Sequence, residues 1–145
     1  MTTYSTDSDL RKYRPNIMEF GDDWSDQREE AYAIINRLIE TRWYRKAAIE
    51  MGYDPIVTLF DSTKVKGELL KRAECFKTLE LIFMYLKKEV SEEDGYERFE
   101  KTFRDRYNEE ISLVLAAGID YDWSGSGVFE DEELKVRVSR RLVRA

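Results

Sequence analysis

Asp120, Asp122 and Ser124, followed by Gly125, repeat the spacing of the first half of a calcium-binding EF-hand loop. Oxygens at positions one, three and five of such a loop converge on a hard cation, and glycine at position six permits the sharp turn. Asp131 falls at position twelve, where glutamate is preferred because its longer side chain grips the ion with both oxygens. Position eight, normally hydrophobic, is Gly127, and the residues beyond the loop alternate like a strand where the motif requires a second helix. The same residues suit an Asx-rich turn leading into a hairpin, with carboxylates accepting backbone N–H bonds. A calcium-binding helical module built on residues 120–131 is therefore the alternative reading, not the leading one.

The other chemistries lack their parts. There is no histidine, which removes the commonest general base, the usual nitrogen ligand for metals and the Ser-His or Cys-His nucleophile pairs. Cys75 has Lys71 and Lys77 nearby, yet it sits at helical spacing beside Phe76 and Leu79, so a buried, inert thiol is expected. One cysteine forms no internal disulfide, and a reducing compartment is the natural expectation. No P-loop and no Gly-x-Gly-x-x-Gly is present, and nothing in the spacing of the many carboxylates selects a catalytic pair. The expectation is a protein that is not an enzyme, with no cofactor, no metal and no catalytic residues.

The elements that must carry these residues read mainly as helices. Thr6 or Asp7 caps a short helix through Leu10 and Tyr13 that Pro15 stops, and residues 16–24 read as a loop. Ser25 is a good N-cap for a helix to about Trp43, with Ala31, Ile34, Ile35, Leu38 and Ile39 on one stripe. A separate short helix follows over residues 45–51, closed by Gly52 with Pro55 beyond it. Residues 56–60 are apolar and suit a turn of helix or a buried loop. Asp61 or Ser62 begins the next helix, through Val65, Leu69, Phe76, Leu79, Phe83 and Leu86, which is apolar on more than one side and belongs at the centre of the bundle. Residues 91–94 approximate a capping box for a last helix carrying Tyr96, Phe99, Phe103, Tyr107, Ile111 and Val114, which Gly118 ends.

Beyond Gly118 the pattern changes. Residues 118–127 read as a hinge, Glu130 to Glu133 form an acidic knot, and residues 134–145 make an arm with five bases and no acid. Leu134, Val136, Val138 and Leu142 fall on one side of the extended arm, and Lys135, Arg137, Ser139 and Arg141 on the other, the period of a strand. The fold class is thus mainly α: a helical bundle with two long antiparallel helices and a C-terminal extended or β arm. Residues 1–118 form the helical body, and residues 119–145 the turn and arm. The arm is expected to be disordered until docked, at an ordering cost of ~2–5 kcal/mol. An ordinary edge hairpin with Val128 and Phe129 is the plainer option, and arginines along its edge would then guard against unwanted pairing.

Charge limits the partners. The chain of 145 residues has net charge −6, of which the arm contributes +5, so residues 1–133 carry −11. A body this acidic is a poor match for a phosphate backbone, and the arm lacks the aromatics that stack on bases. No apolar run reaches the ~18 residues that mark a membrane span, so no membrane partner is expected.

The order of parts resembles the head–tail connector proteins of tailed bacteriophages, also called adaptor or head-completion proteins. The likeness runs from Trp24 to the C-terminus: a capped helix, a loop entered through Phe60-Asp61, a helical hairpin, then Ala-Ala-Gly-Ile-Asp-Tyr-Asp and a strand-like tail. Residues 74–86 and 107–122 carry it most distinctly. The resemblance implies a structural virion component at the head–tail junction, made in the host cytoplasm. It would form a homo-oligomeric ring of twelve subunits on the portal protein, extend the channel for passing DNA without specific binding, and present a surface to a neck or tail-completion protein. It also implies that the C-terminal segment docks on the portal, which here assigns protein binding to Leu134, Val136, Arg137, Val138, Arg140, Arg141, Leu142 and Arg144. Ser-Gly-Ser-Gly in place of a tight Asp-Gly turn departs from the family. A small acidic regulator that binds a basic host protein is a further alternative.

Overall fold

The computed structural model describes residues 3–21, 23–89, 95–130 and 133–134, without the side chains of residues 88 and 89. The protein is mainly helical, a helical bundle. Its helices are α1 (Asp7–Tyr13), α2 (Ser25–Ile39), α3 (Arg45–Glu50), α4 (Lys71–Glu89) and α5 (Tyr96–Ala117). The chain divides into two compact units: residues 1–35 with 67–112, and residues 36–66 with 113–145.

In the first unit, α1 starts where its cap dictates. The Thr6 hydroxyl accepts the Asp9 N–H and the Asp9 carboxylate accepts the Thr6 N–H, a reciprocal capping box. At the start of α2 Ser25 is not the cap, and Trp24 precedes the helix, its carbonyl accepting the Arg28 N–H. Ser25 is already helical, and its N–H is taken by the Asp23 carboxylate at 2.9 Å. The intervening residues 16–24 are not wholly irregular, since Ile17–Glu19 form a 3-10 turn with Ile17 fully buried.

Helix α4 is buried on several sides, as its pattern predicts: Cys75, Phe76, Leu79, Ile82, Phe83 and Leu86 are all in the core. Contacts with α5 pair falling numbers with rising ones. Arg72 meets Glu110, Lys77 lies over the Tyr107 ring, Arg104 meets Glu80, and Lys87 meets Glu100. The two helices therefore run in opposite directions. Phe83 stacks on Phe103 (5.9 Å between centroids, 3° between planes) and touches Phe99, while the Arg14 guanidinium lies 4.4 Å from the Phe99 ring.

The start of α4 differs from expectation. Asp61 does cap, but only a 3-10 turn over Ser62–Lys64, and α4 begins at Lys71. Val65 is extended and forms an antiparallel bridge with Tyr121, a pairing that sequence periodicity cannot see. The capping box expected over residues 91–94 lies outside the described residues.

The second unit holds a second departure. The helices expected over residues 25–43 and 45–51 are one continuous helical run, joined through a π-helical turn at Glu40–Tyr44. Ile35, Ile39, Trp43 and Ala47 are buried at successive steps of four. In a regular α-helix each such step drifts the stripe by about 40°, because four residues exceed one turn. A widened π turn takes up that drift. Thr41 marks the spot: its hydroxyl donates to the carbonyls of Arg37 and Leu38, a back-bond that loosens helical geometry.

Candidate functional site

The site grows from the end of α5. Gly118, with φ of 99°, takes the left-handed conformation that turns the chain out of the helix, its N–H donating to the Val114 carbonyl. The next five residues, Ile119 to Trp123, are all buried. They lie beside residues 64–66: the Lys66 N–H donates to Asp120 O (3.1 Å) and the Asp122 N–H to Lys64 O (2.9 Å). On the other side the Tyr121 N–H donates to Glu133 O at 3.4 Å.

These backbone bonds seat Tyr121 and Trp123 in an aromatic cluster with Trp43, Tyr44, Tyr53 and Phe60. Trp123 stacks between Tyr44 (12° between planes) and Tyr53 (16°), and Tyr121 stacks on Phe60. Polar ties fix the cluster to the loop before it. The Tyr121 hydroxyl accepts the Asp61 N–H at 3.0 Å, and the Tyr44 hydroxyl donates to the Thr58 carbonyl at 2.5 Å. Burial pushes both phenols above their ordinary pKa, so both remain protonated donors across the physiological range. The Trp123 indole N–H is buried with no acceptor among the described residues.

The residues of the EF-hand-like stretch have identifiable partners. Asp122 Oδ2 accepts the Gly127 N–H (2.8 Å) and Oδ1 accepts the Ser126 N–H (3.2 Å) and the Ser124 hydroxyl. Asp120 is buried, with one oxygen 3.7 Å from Lys66 Nζ. Asp122 therefore acts as the acceptor of an Asx turn. Asp131 lies outside the described residues. Among the described residues, no three histidine, cysteine or carboxylate side chains are grouped to hold a metal ion.

Sequence reasoning missed Glu133. The sequence shows it as one member of the acidic knot at Glu130 to Glu133, whereas its side chain is buried and spans the turn. One oxygen accepts the Ser124 N–H at 2.8 Å and the other the Glu130 N–H at 2.9 Å. The latter bond, from a glutamate to a backbone N–H three residues earlier, is half of a capping box, and that spacing was the available signal. With Asp122 and Glu133 tying it, residues 118–127 are a braced turn and not the hinge expected from Ser-Gly-Ser-Gly.

Residues 50–61 form the neighbouring surface. Helix α3 ends in a Schellman motif: Tyr53 N–H to Ala48 O, Gly52 N–H to Ile49 O, with Gly52 at φ 88°. Asp54 then starts a turn, its side chain accepting the Ile56 N–H and its carbonyl the Thr58 N–H. The apolar residues expected here in a turn or a buried loop are outside. Ile56 is 84% exposed, Val57 77% and Leu59 72%. The N–H groups of Ile56, Val57 and Thr58 are taken up by Asp54 within the turn, while Phe60 and Tyr53 reach the aromatic cluster.

Of the predicted binding residues, Leu134 is described, in a turn and exposed. Val136, Arg137, Val138, Arg140, Arg141, Leu142 and Arg144 lie outside the described residues. Cys75, by contrast, is placed as expected: fully buried, its thiol pushed by burial to about 12. No family model matches the chain, nor does any curated protein or solved structure.

Proposed function

We propose that this protein is a structural virion component, a head–tail connector that assembles as a ring on a portal, and that it works without catalysis. The observation that carries the reading is the sequence of parts: a helical bundle, a braced exit turn at residues 118–127, and then a basic arm with alternating apolar residues. That order resembles the connector family. A braced turn also suits the role mechanically, because an arm that transmits force to a partner needs a rooted base.

In this reading residues 134–145 add as an extended strand to the portal or to a groove between subunits. Backbone groups supply affinity and Leu134, Val136, Val138 and Leu142 supply specificity. Twelve arms acting together offset the ordering cost of each, since linked sites bind at high effective concentration. The acidic body faces passing DNA without gripping it, because like charges repel. The ring is homo-oligomeric, and its far face meets a neck or tail-completion protein. The junction is in the virion; the chain is made in the host cytoplasm.

Negative-stain electron microscopy of the chain mixed with a purified portal tests this. A ring on the portal is expected, and it should be lost when residues 134–145 are deleted. If no ring forms with the full chain, or one forms equally well without the arm, the reading fails.

A further inference from the structure

We propose that residues 135–145 fold back in cis onto the exposed turn at residues 50–61 of their own chain, capping Ile56, Val57 and Leu59. The root of the arm is fixed close to that surface. Glu133 O accepts the Tyr121 N–H, and the Tyr121 hydroxyl accepts the Asp61 N–H. One tyrosine therefore separates the start of the arm from the end of the turn. Eleven extended residues reach about 36 Å, ample to cross a four-residue apolar turn.

The two surfaces are complementary. Residues 50–61 carry three acids (Glu50, Asp54, Asp61) and no base, while residues 135–145 carry five bases and no acid. The turn exposes Ile56, Val57 and Leu59, and the arm offers Val136, Val138 and Leu142 on alternate positions. Clustered exposed side chains of this size mark a surface that is covered in use. A tether this short holds the arm near its own turn at an effective concentration that a second copy in dilute solution does not match, so the contact forms within one chain. The charges steer it, and salt weakens it.

Capping gives the arm a resting place. It keeps an apolar, strand-forming segment from pairing indiscriminately. A partner must compete it away. The inference does not rest on the connector reading: a chain that builds no ring on a portal would still hold its arm.

Cross-linking within the full chain tests it. Val57→Cys combined with Val138→Cys places one thiol on each surface, and the buried native Cys75 does not compete. Mild oxidation at low protein concentration should give a disulfide inside single chains, seen as a faster-migrating monomer on a non-reducing gel and as a linked peptide pair by mass spectrometry. Cross-links only between chains would assign the turn to a second copy's arm and overturn the cis contact. No cross-link, with both thiols open to reagent, would overturn it as well. Hydrogen exchange supplies a cysteine-free check. In Ile56→Ser/Leu59→Ser the arm amides should exchange about tenfold faster than in the unaltered protein, with the helical circular dichroism unchanged. Equal rates would sink the proposal.

Discussion

The first unit packs Phe76, Phe83, Phe99 and Phe103 between two long helices, whose own hydrogen bonds satisfy the backbone. The second packs Trp43, Tyr44, Tyr121 and Trp123 around a segment with almost no regular structure, so its backbone groups must find partners one at a time. Lys64, Lys66, Asp61, Glu133 and the Asp122 carboxylate supply them. Similar apolar burial is therefore backed by repeated local bonds in one region and by single long-range bonds in the other. The first kind of region tolerates loss of a polar contact; the second depends on each.

Substitutions can break this contrast, beginning with the largest. Phe83→Ala and Tyr121→Ala should each cost about 3–5 kcal/mol in chemical denaturation, since both remove a large buried ring. The comparison sharpens with Tyr121→Phe, which keeps the ring but strips the acceptor from the Asp61 N–H. A loss of about 1–2 kcal/mol is expected. If Tyr121→Phe is neutral, the polar ties of the second unit are not what holds it.

Glu74 is the exception inside the first unit. Its fully buried carboxylate accepts the N–H groups of Tyr4 and Ser5 and the Ser5 hydroxyl, pinning the N-terminal segment to α4. Glu74→Ala should cost about 2–4 kcal/mol by leaving buried donors unmet. Burial raises its pKa above the ordinary 4.5, although the three hydrogen bonds pull the other way. A carboxyl that holds its proton more tightly when folded contributes stability that is full below the unfolded value and declines as pH rises through the folded one. The stability of Glu74→Gln should lack that decline, which denaturation at a series of pH values would reveal. A decline of the same size in both proteins would exclude Glu74 as its source.

Smaller effects follow in the second unit. Glu133→Ala should cost about 1–2 kcal/mol and speed exchange at Ser124 and Glu130, leaving α4 amides untouched. Equal exchange there would show that Glu133 is not a brace. Leu113→Lys, on an exposed position of α5, should stay within about 0.5 kcal/mol of the unaltered protein by thermal unfolding.

What the sequence revealed depended on range. The short helix at Thr6, the core pattern of α4 and α5 and the stop at Gly118 rest on contacts within a few residues, and all were readable. The start of α4 was misplaced because Val65 and Leu69 fit a helical spacing, whereas Val65 is held extended by Tyr121, fifty-six positions away. The break expected between α2 and α3 is absent, because the clue lay in steps of four and not in any stop residue. At the candidate site, the turn role of Asp122 followed from its local spacing. Glu133 was hidden because Ser124 lies nine residues before it, and the exposure of Ile56, Val57 and Leu59 because apolar composition alone does not say which way a turn faces.

The widened turn at Glu40–Tyr44 has a consequence for changes in chain length. A π turn is a helix carrying one residue more than its rise needs, so this is the place where the chain holds a spare. Removing an exposed residue there, Thr41 or Arg42, would let the helix close to ordinary geometry with the downstream turns in the same phase. Trp43, Tyr44, Ala47 and Ala48 would keep their places in the core. A deletion in the regular turns on either side would instead rotate everything beyond it by about 100°, so the spare residue is slack that the second unit can lose.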